Sequence, residues 1–304
     1  VTEITEDRQP RCEISLPAAE AWCRRITRSH YENFTVASYL LPAGVRQDVA
    51  NLYAYCRVAD DLADEGGLPS QRRMALADWR RQLEACYQGQ AVHPVFVALS
   101  RTIARYDLPI EPLADLLTAF ERDQSQHRYE SYAELLDYCR YSANPVGRLM
   151  LRLAGCQRAE AIPLSDSICT GLQLANFCQD VARDYAAGRI YLPQQDCRRF
   201  GYTQSMFERR QYNEAFASLL AHYVEQAEQS LAAGRPLLGM VPRWLRIDLA
   251  LFVEGGLAIA GRIRRQRYDV WSRRPTVGRL EKLRLLARCW WRHGCRRGVE
   301  GDRP

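Results

Sequence analysis

The stretch Leu52-Tyr53-Ala54-Tyr55-Cys56-Arg57-Val58-Ala59-Asp60-Asp61-Leu62-Ala63-Asp64-Glu65 runs a helix-spaced apolar segment straight into a cluster of carboxylates. A second stretch does the same: Gly171-Leu172-Gln173-Leu174-Ala175-Asn176-Phe177-Cys178-Gln179-Asp180-Val181-Ala182-Arg183-Asp184. Each repeats an aspartate at a spacing of four, Asp60/Asp64 and Asp180/Asp184. On a helix four residues advance about 6 Å and turn about 40° past a full revolution, so each pair shares a face. Like charges held that close repel unless a cation sits between them. Oxygen-only ligands suit a hard divalent ion such as Mg²⁺, which keeps several waters and takes substrate phosphates as its remaining ligands. Two such faces opposed would make a pocket for a metal-bound diphosphate. One Asp i,i+4 pair alone is more often a solvated surface feature, but carboxylates that close an apolar segment sit at the edge of a core.

Working outward, apolar residues recur at helical spacing through 18–29, 43–64, 70–88, 93–106, 110–124, 132–154, 165–186, 206–233, 243–266 and 278–291, with no alternating strand pattern. The reading is all-α: one domain over 18–297 around a central apolar cavity, a disordered segment at 1–17 and a flexible tail at 298–304. Pro145, inside the 132–154 pattern, removes a backbone donor and is expected to kink that helix.

Composition narrows the class. At 304 residues, with 47% apolar and 26% charged, the chain can bury a sizeable core. No apolar run approaches the ~18–20 residues of a membrane span, and 1–17 lacks the layout of a secretory signal. A cytoplasmic location is expected, with peripheral contact on the inner face of the membrane as an addition. Eleven cysteines are scattered without a Cys-x-x-Cys, so buried reduced thiols are expected and zinc is not. There is no Gly-x-Gly-x-x-Gly, P-loop, Gly-x-Ser-x-Gly, His-Glu-x-x-His or Glu-x-x-His. The net charge of +6 hides a basic arm, thirteen Arg or Lys from Arg262 to Arg297 against Asp269 and Glu281. Trp271, Leu280, Leu283, Leu285, Leu286, Trp290 and Trp291 are interleaved there, which favours a basic amphipathic helix at a membrane surface. A plain solvated face is the alternative, and nucleic acid is not an expected partner.

Three further segments carry chemistry. His30-Tyr31-Glu32-Asn33-Phe34 offers polar groups for a diphosphate and rings for a cavity, with a structural histidine as the alternative. Tyr138, Tyr141 and Asn144 flank the expected kink at Pro145. Gly188-Arg189-Ile190-Tyr191-Leu192-Pro193 reads as a helix C-cap followed by an extended stop, with Arg189 either meeting a leaving diphosphate or standing as a surface arginine. An apolar, aromatic cavity with metal-bound diphosphate at its mouth suits ionisation to a carbocation shielded from water.

The segments 53–64, 176–184 and 188–193 together resemble the squalene/phytoene synthase family, and the likeness extends from about His30 to about Trp290. The resemblance implies an isoprenoid synthase fold, prenyl diphosphate substrates and Mg²⁺, with Mn²⁺ as a substitute. By position it gives Asp60, Asp64, Asn176, Asp180 and Asp184 as metal ligands. Arg57, Arg183, Arg189 and Tyr191 would be diphosphate contacts or supports, joined by His30, Tyr31, Asn33 and Phe34. Tyr53, Tyr138 and Tyr141 would face the prenyl chain or cation. The stretches 30–38, 59–65 and 143–148 look like the bacterial hopanoid-pathway branch of hydroxysqualene synthases. That branch implies presqualene diphosphate as substrate, water rather than NADPH as the terminating reagent, and handover with other enzymes of that pathway. Tyr31 and Asn33 stand where condensing relatives carry serines, and Asn144-Pro145 stands for their Gly-Thr, so head-to-head condensation is in doubt. Asn144 is the candidate for placing the capturing water. The alternatives are a presqualene diphosphate synthase, a complete squalene or phytoene synthase, and a non-catalytic helical protein. Removing one carboxylate of a pair is expected to raise stability without Mg²⁺.

Overall fold

A computed structural model describes residues 14–29, 41–65 and 67–294. Among these residues all regular structure is helical, without a strand; only an isolated bridge joins Arg128 to Ile190. In chain order the helices are α1 (Leu16–Ser29), α2 (Ala43–Asp64), α3 (Pro69–Tyr87), α4 (Pro94–Tyr106), α5 (Glu111–Arg122), α6 (Tyr132–Ser142) and α7 (Asn144–Leu153). Then follow α8 (Ala161–Ala186), α9 (Gln194–Arg199), α10 (Gln204–Glu208), α11 (Glu214–Gly234), a 3-10 turn (Arg235–Gly239), α12 (Arg243–Arg265) and α13 (Arg279–Cys289). A π-helical turn (Trp290–Gly294) extends α13. The all-α reading holds.

Three differences from the sequence expectation have local causes. The pattern over 132–154 is cut in two at Ala143, because Pro145 lacks the N–H that a continuous helix would need there. The pattern over 206–233 is also two helices. The chain turns at Arg210, whose φ is +47°, and α11 restarts where the Asn213 side chain accepts a hydrogen bond from the Phe216 N–H at 2.9 Å. The short helix α9, started by Pro193, was not anticipated.

Packing holds the two acidic helices in place. Helix α8 is buried along most of its length and lies against α6, α7, α11 and α12. Its approach to α11 is close at Gly171, where an added Cβ would stand 2.9 Å from the Ala227 carbonyl oxygen. Helix α2 is locked to α4 through buried Asp48, which accepts from Thr102 Oγ1 at 2.9 Å, Arg105 at 3.0 Å and Tyr106 at 3.1 Å. Asn51 adds donors to Thr102 Oγ1 and the Ala98 carbonyl. The Tyr55 hydroxyl ties α2 to α5 by donating to the Leu113 carbonyl at 2.8 Å. One apolar cluster joins α1 to α5, including Leu52, Tyr55, Leu83, Phe96 and Leu117, while another surrounds α8 and α11, including Leu174, Phe177, Leu220 and Tyr223. The cysteines among the described residues are unpaired, and burial pushes thiols such as Cys139 and Cys169 up to about 12.

Asp248 on α12 is an exception to this satisfied interior. It is 3% exposed, and its Oδ1 has no hydrogen-bond partner among the described residues. Burial pushes its carboxyl up to about 7. An acid whose folded pKa is raised costs nothing below its ordinary range, and its penalty grows as pH rises to the folded value. The full penalty here is at most about 4 kcal/mol. Asp248→Asn should therefore raise Tm at pH 8, with the gain shrinking toward pH 4.5. A pH-independent difference in thermal unfolding would show that ionisation of Asp248 is not the cost.

Candidate active site

The side chains Tyr53, Arg57, Asp60 and Asp64 are spaced four, three and four apart, so they share one face of α2. Gln173, Phe177, Asp180 and Asp184 repeat that spacing on α8. Asp60, Asn176 and Asp184 line one cavity of about 280 Å³, together with Asp123, Tyr138, Ser142, Gln173, Phe177, Arg189 and Tyr191. The two acidic helices thus meet across this cavity at Asp60, Asn176 and Asp184, while Arg57, Asp64 and Asp180 are not among its lining.

Each acidic pair is answered by arginine. Arg57 reaches Asp60 at 2.9 Å and also pairs with Asp61. Arg189 crosses to Asp64 at 3.1 Å. Arg274, from the segment between α12 and α13, grips buried Asp180 through both nitrogens, one at 2.9 Å. Compensation is incomplete. Burial and then Asp180 push the Asp184 carboxyl up to about 7, and burial and then Asp64 push Asp60 up. Among the described residues no three His, Cys, Asp or Glu side chains gather closely enough to hold an ion by themselves. Two-carboxylate faces that remain underneutralised fit a hard divalent ion whose other ligands are water and phosphate oxygen.

Arg189 is placed by the end of α8. Gly188, at φ +80°, carries the chain through the left-handed region. The Arg189 N–H then returns to the Asp184 carbonyl at 2.8 Å and the Gly188 N–H to the Tyr185 carbonyl at 3.0 Å, a Schellman closure. The Ile190 N–H continues onto the His127 carbonyl at 2.9 Å.

Below the carboxylates lies an aromatic floor. Tyr191 stacks on Phe177 at 4.0 Å, and Tyr138 lies 5.7 Å from Tyr191. The Tyr138 hydroxyl donates to Asp123 Oδ2 at 2.9 Å. Burial pushes Asp123 up to about 6 and Tyr138 well above the phenol range. Asp123 Oδ1 and Ser142 Oγ are buried without partners, although both residues line the cavity.

Other expected residues lie elsewhere. Tyr53 is half-buried on the acidic face of α2 but is not among the cavity's lining. Tyr141 is also outside the lining; its ring is covered by Arg122, 4.3 Å from the centroid. Asn144 is buried at the start of α7, where its Oδ1 accepts from Thr170 Oγ1 at 3.0 Å, away from the cavity. Arg183 is exposed on α8 and is not in the lining either. His30, Tyr31, Asn33 and Phe34 fall outside the described residues. Asp123, Ser142 and Arg274 were not anticipated. Asp123 had a signal, since Leu116, Leu117, Ala119 and Phe120 run into it as apolar residues run into Asp60.

With this geometry established, the chain was compared with known proteins. Residues 27–281 match the family model described as squalene/phytoene synthase. The crystal structure of squalene synthase HpnC from Alicyclobacillus acidocaldarius superposes with a TM-score of 0.81 at 43% identity, covering 85% of this chain and 97% of that one. A hydroxysqualene synthase from Rhodopseudomonas palustris is 35% identical over 68% of this chain and 70% of its own length. A phytoene synthase from Arthrospira platensis is 31% identical over 87% and 90%.

The charge balance has measurable consequences. Asp184→Asn should raise Tm by a few degrees at pH 8 without divalent ions, the gain disappearing near pH 4, because the ionised Asp184 is the strained form. Asp180→Asn should lower Tm instead, since it strands Arg274; this revises the expectation that removing either carboxylate relieves repulsion. Mg²⁺ affinity, read by titration calorimetry with a diphosphate present, should fall as pH drops through 7, where a proton competes for Asp184.

Proposed function

Because the chain belongs to the squalene/phytoene synthase family, whose members are enzymes acting on prenyl diphosphates, we propose that it converts presqualene diphosphate and water to hydroxysqualene and diphosphate. The observation that carries this reading is the cavity in which Asp60, Asn176 and Asp184 share a wall with Tyr138, Phe177 and Tyr191, with Ser142 Oγ and Asp123 Oδ1 unpartnered in the residues that line it. Buried polar groups without protein partners are where ordered water resides. Both atoms are covered by protein in the chain alone, so a water that satisfied both would enter only as the wall beside Tyr138, Phe177 and Tyr191 shifts around a bound substrate. The similarity to a named hydroxysqualene synthase and to HpnC supports the same conclusion.

Asp60 and Asp64 on one side, and Asn176, Asp180 and Asp184 on the other, would hold Mg²⁺, which supplies charge neutralisation for the departing diphosphate. Arg57, Arg189 and Arg274 stand paired with carboxylates in the chain alone and are the cations free to turn toward phosphate oxygens. The carbon–oxygen bond breaks with its electron pair on the diphosphate. The cyclopropylcarbinyl cation rearranges to the 1,1′-linked skeleton, with aromatic faces stabilising its charge. A lone pair of water then forms the new carbon–oxygen bond. Asp123 takes the released proton, and Ser142 orients the water. Asn144, committed to Thr170, acts on this step only by holding α7 against α8.

A second reading has one observation in its favour, the similarity to a phytoene synthase across 87% of the chain. In that reading the protein condenses two prenyl diphosphates head to head.

The deciding experiment incubates the purified chain with Mg²⁺ and presqualene diphosphate, without NADPH, beside reactions with farnesyl and geranylgeranyl diphosphates. Mass spectrometry of the organic extract should find hydroxysqualene from the first and nothing from the others. Presqualene diphosphate, or phytoene, from the parallel reactions would establish the condensing reading instead. Asp60→Ala or Asp180→Ala should abolish turnover with helical circular dichroism intact. Ser142→Ala should lower the hydroxylated share of product about tenfold, in line with ~1–1.5 kcal/mol for one neutral hydrogen bond, while Asn144→Ala leaves that share unchanged. Turnover should decline as pH falls through about 6, where Asp123 becomes protonated and can no longer accept.

A further inference from the structure

Helix α13 turns its apolar stripe away from the protein. Its inner side is fixed to α12: Glu281 accepts from Arg262 at 3.1 and 2.5 Å, Arg288 pairs with Glu254, and Cys289 is buried. On the opposite side Leu280 is 72%, Leu283 60% and Trp291 74% exposed, and Trp290, with Arg243 of α12 over one face of its ring, is 45% exposed. These positions, with exposed Ala287, follow each other at three- and four-residue steps, so they form one continuous ridge. A surface helix ordinarily turns such a ridge inward. Here the inward face is made by Glu281, Leu285, Leu286 and Cys289.

Both flanks of the ridge are basic. At 100° per residue Arg279 borders one side and Arg284 and Arg288 the other. Glu281 is the one carboxylate between residues 279 and 292, and Arg262 already occupies it. A cavity of about 490 Å³ beside the ridge is lined by Arg262, Arg265, Arg284 and Arg288 together with Glu281; Glu281 and Glu254 pair with three of these arginines, which leaves the rim with a basic excess. Indole rings and leucines at the centre, with long basic side chains on both sides, are the layout of a helix lying in a lipid interface. No helix among the described residues is long and apolar enough to cross a membrane, so contact of this kind is superficial.

We propose that α13 docks the protein in the plane of an anionic bilayer, with Leu280, Leu283, Trp290 and Trp291 among the headgroups and upper acyl chains. The docking surface adjoins the catalytic cleft in the chain: Arg274, bound to Asp180, lies four residues before Gly278, which begins α13. The Pro275 carbonyl between them accepts from Gln179 of α8 at 2.6 Å. Under the function proposed above, an apolar substrate and product would pass between cleft and lipid over this short distance.

The test is binding of the full chain to vesicles of phosphatidylcholine with and without phosphatidylglycerol, followed by flotation and by quenching of tryptophan with brominated lipid. The acidic vesicles should bind at least about tenfold more tightly, weaken with added salt, and quench the fluorescence. Leu283→Glu/Trp291→Glu should lose at least about tenfold in vesicle affinity with unchanged circular dichroism and Tm, while Leu283→Ile/Trp291→Phe retains binding. Wild-type protein that ignores acidic vesicles, or a double-glutamate variant that still binds them, overturns the proposal. So does a concentration-dependent dimer that the glutamates dissolve while vesicles go unbound, which would make the ridge a contact between copies. Vesicle binding needs no turnover, so its failure leaves the reading of the cleft standing.

Discussion

Burial of Asp60 on α2 and Asp184 on α8, each beside a like-charged neighbour on its own helix, is the constraint around which the molecule is arranged. Four aspartates on two facing helices would drive those helices apart if nothing opposed them. Opposition comes at two ranges. Nearby, Arg57, Arg189 and Arg274 each take one or more of the acids. Farther away, the close contact at Gly171 and the buried Asp48–Asn51–Thr102 network fix the helices from behind, so burial and then the neighbouring Asp180 raise the Asp184 carboxyl within a cleft of fixed walls. A small, highly charged cation is the kind of ligand that would relieve what remains.

Beneath the charges the cavity changes character over a short distance. Phe177, Tyr191 and Tyr138 stack together on one side, while Asp60, Gln173, Asn176, Asp184 and Arg189 make the other part of the lining polar. The aromatic side of this chamber tolerates a carbocation but offers it little to react with. Two buried oxygen atoms of its lining residues, Ser142 Oγ and Asp123 Oδ1, lack partners.

Much of this was legible in the chain. The acidic faces were readable because helix geometry maps a spacing of four onto proximity, and the bounds of α2 match its apolar pattern residue for residue. The break at Ala143 followed from Pro145. What escaped depended on information that periodicity does not carry. Asn213 ended one apolar pattern and began another by capping, although the hydrophobic spacing runs on through it. Arg274 sits in an irregular segment with no period at all, so only the folded chain reveals its grip on Asp180. Asn144 and Tyr141 sit beside the proline that suggested a cavity, but their side chains are engaged by Thr170 and Arg122.

The Schellman closure after α8 also determines how Arg189 can move. Its backbone is pinned by the Asp184 carbonyl on one side, and the next residue is pinned by His127 on the other. The guanidinium can therefore leave Asp64 only by turning about its own side-chain bonds, with no loop to open. Exchange of one anion for another at Arg189 belongs to the picosecond-to-nanosecond class of rotamer motion, not to the slower class of lids and hinges. Any departure of the guanidinium from Asp64 is accordingly a rotation of one side chain on a backbone held at both ends.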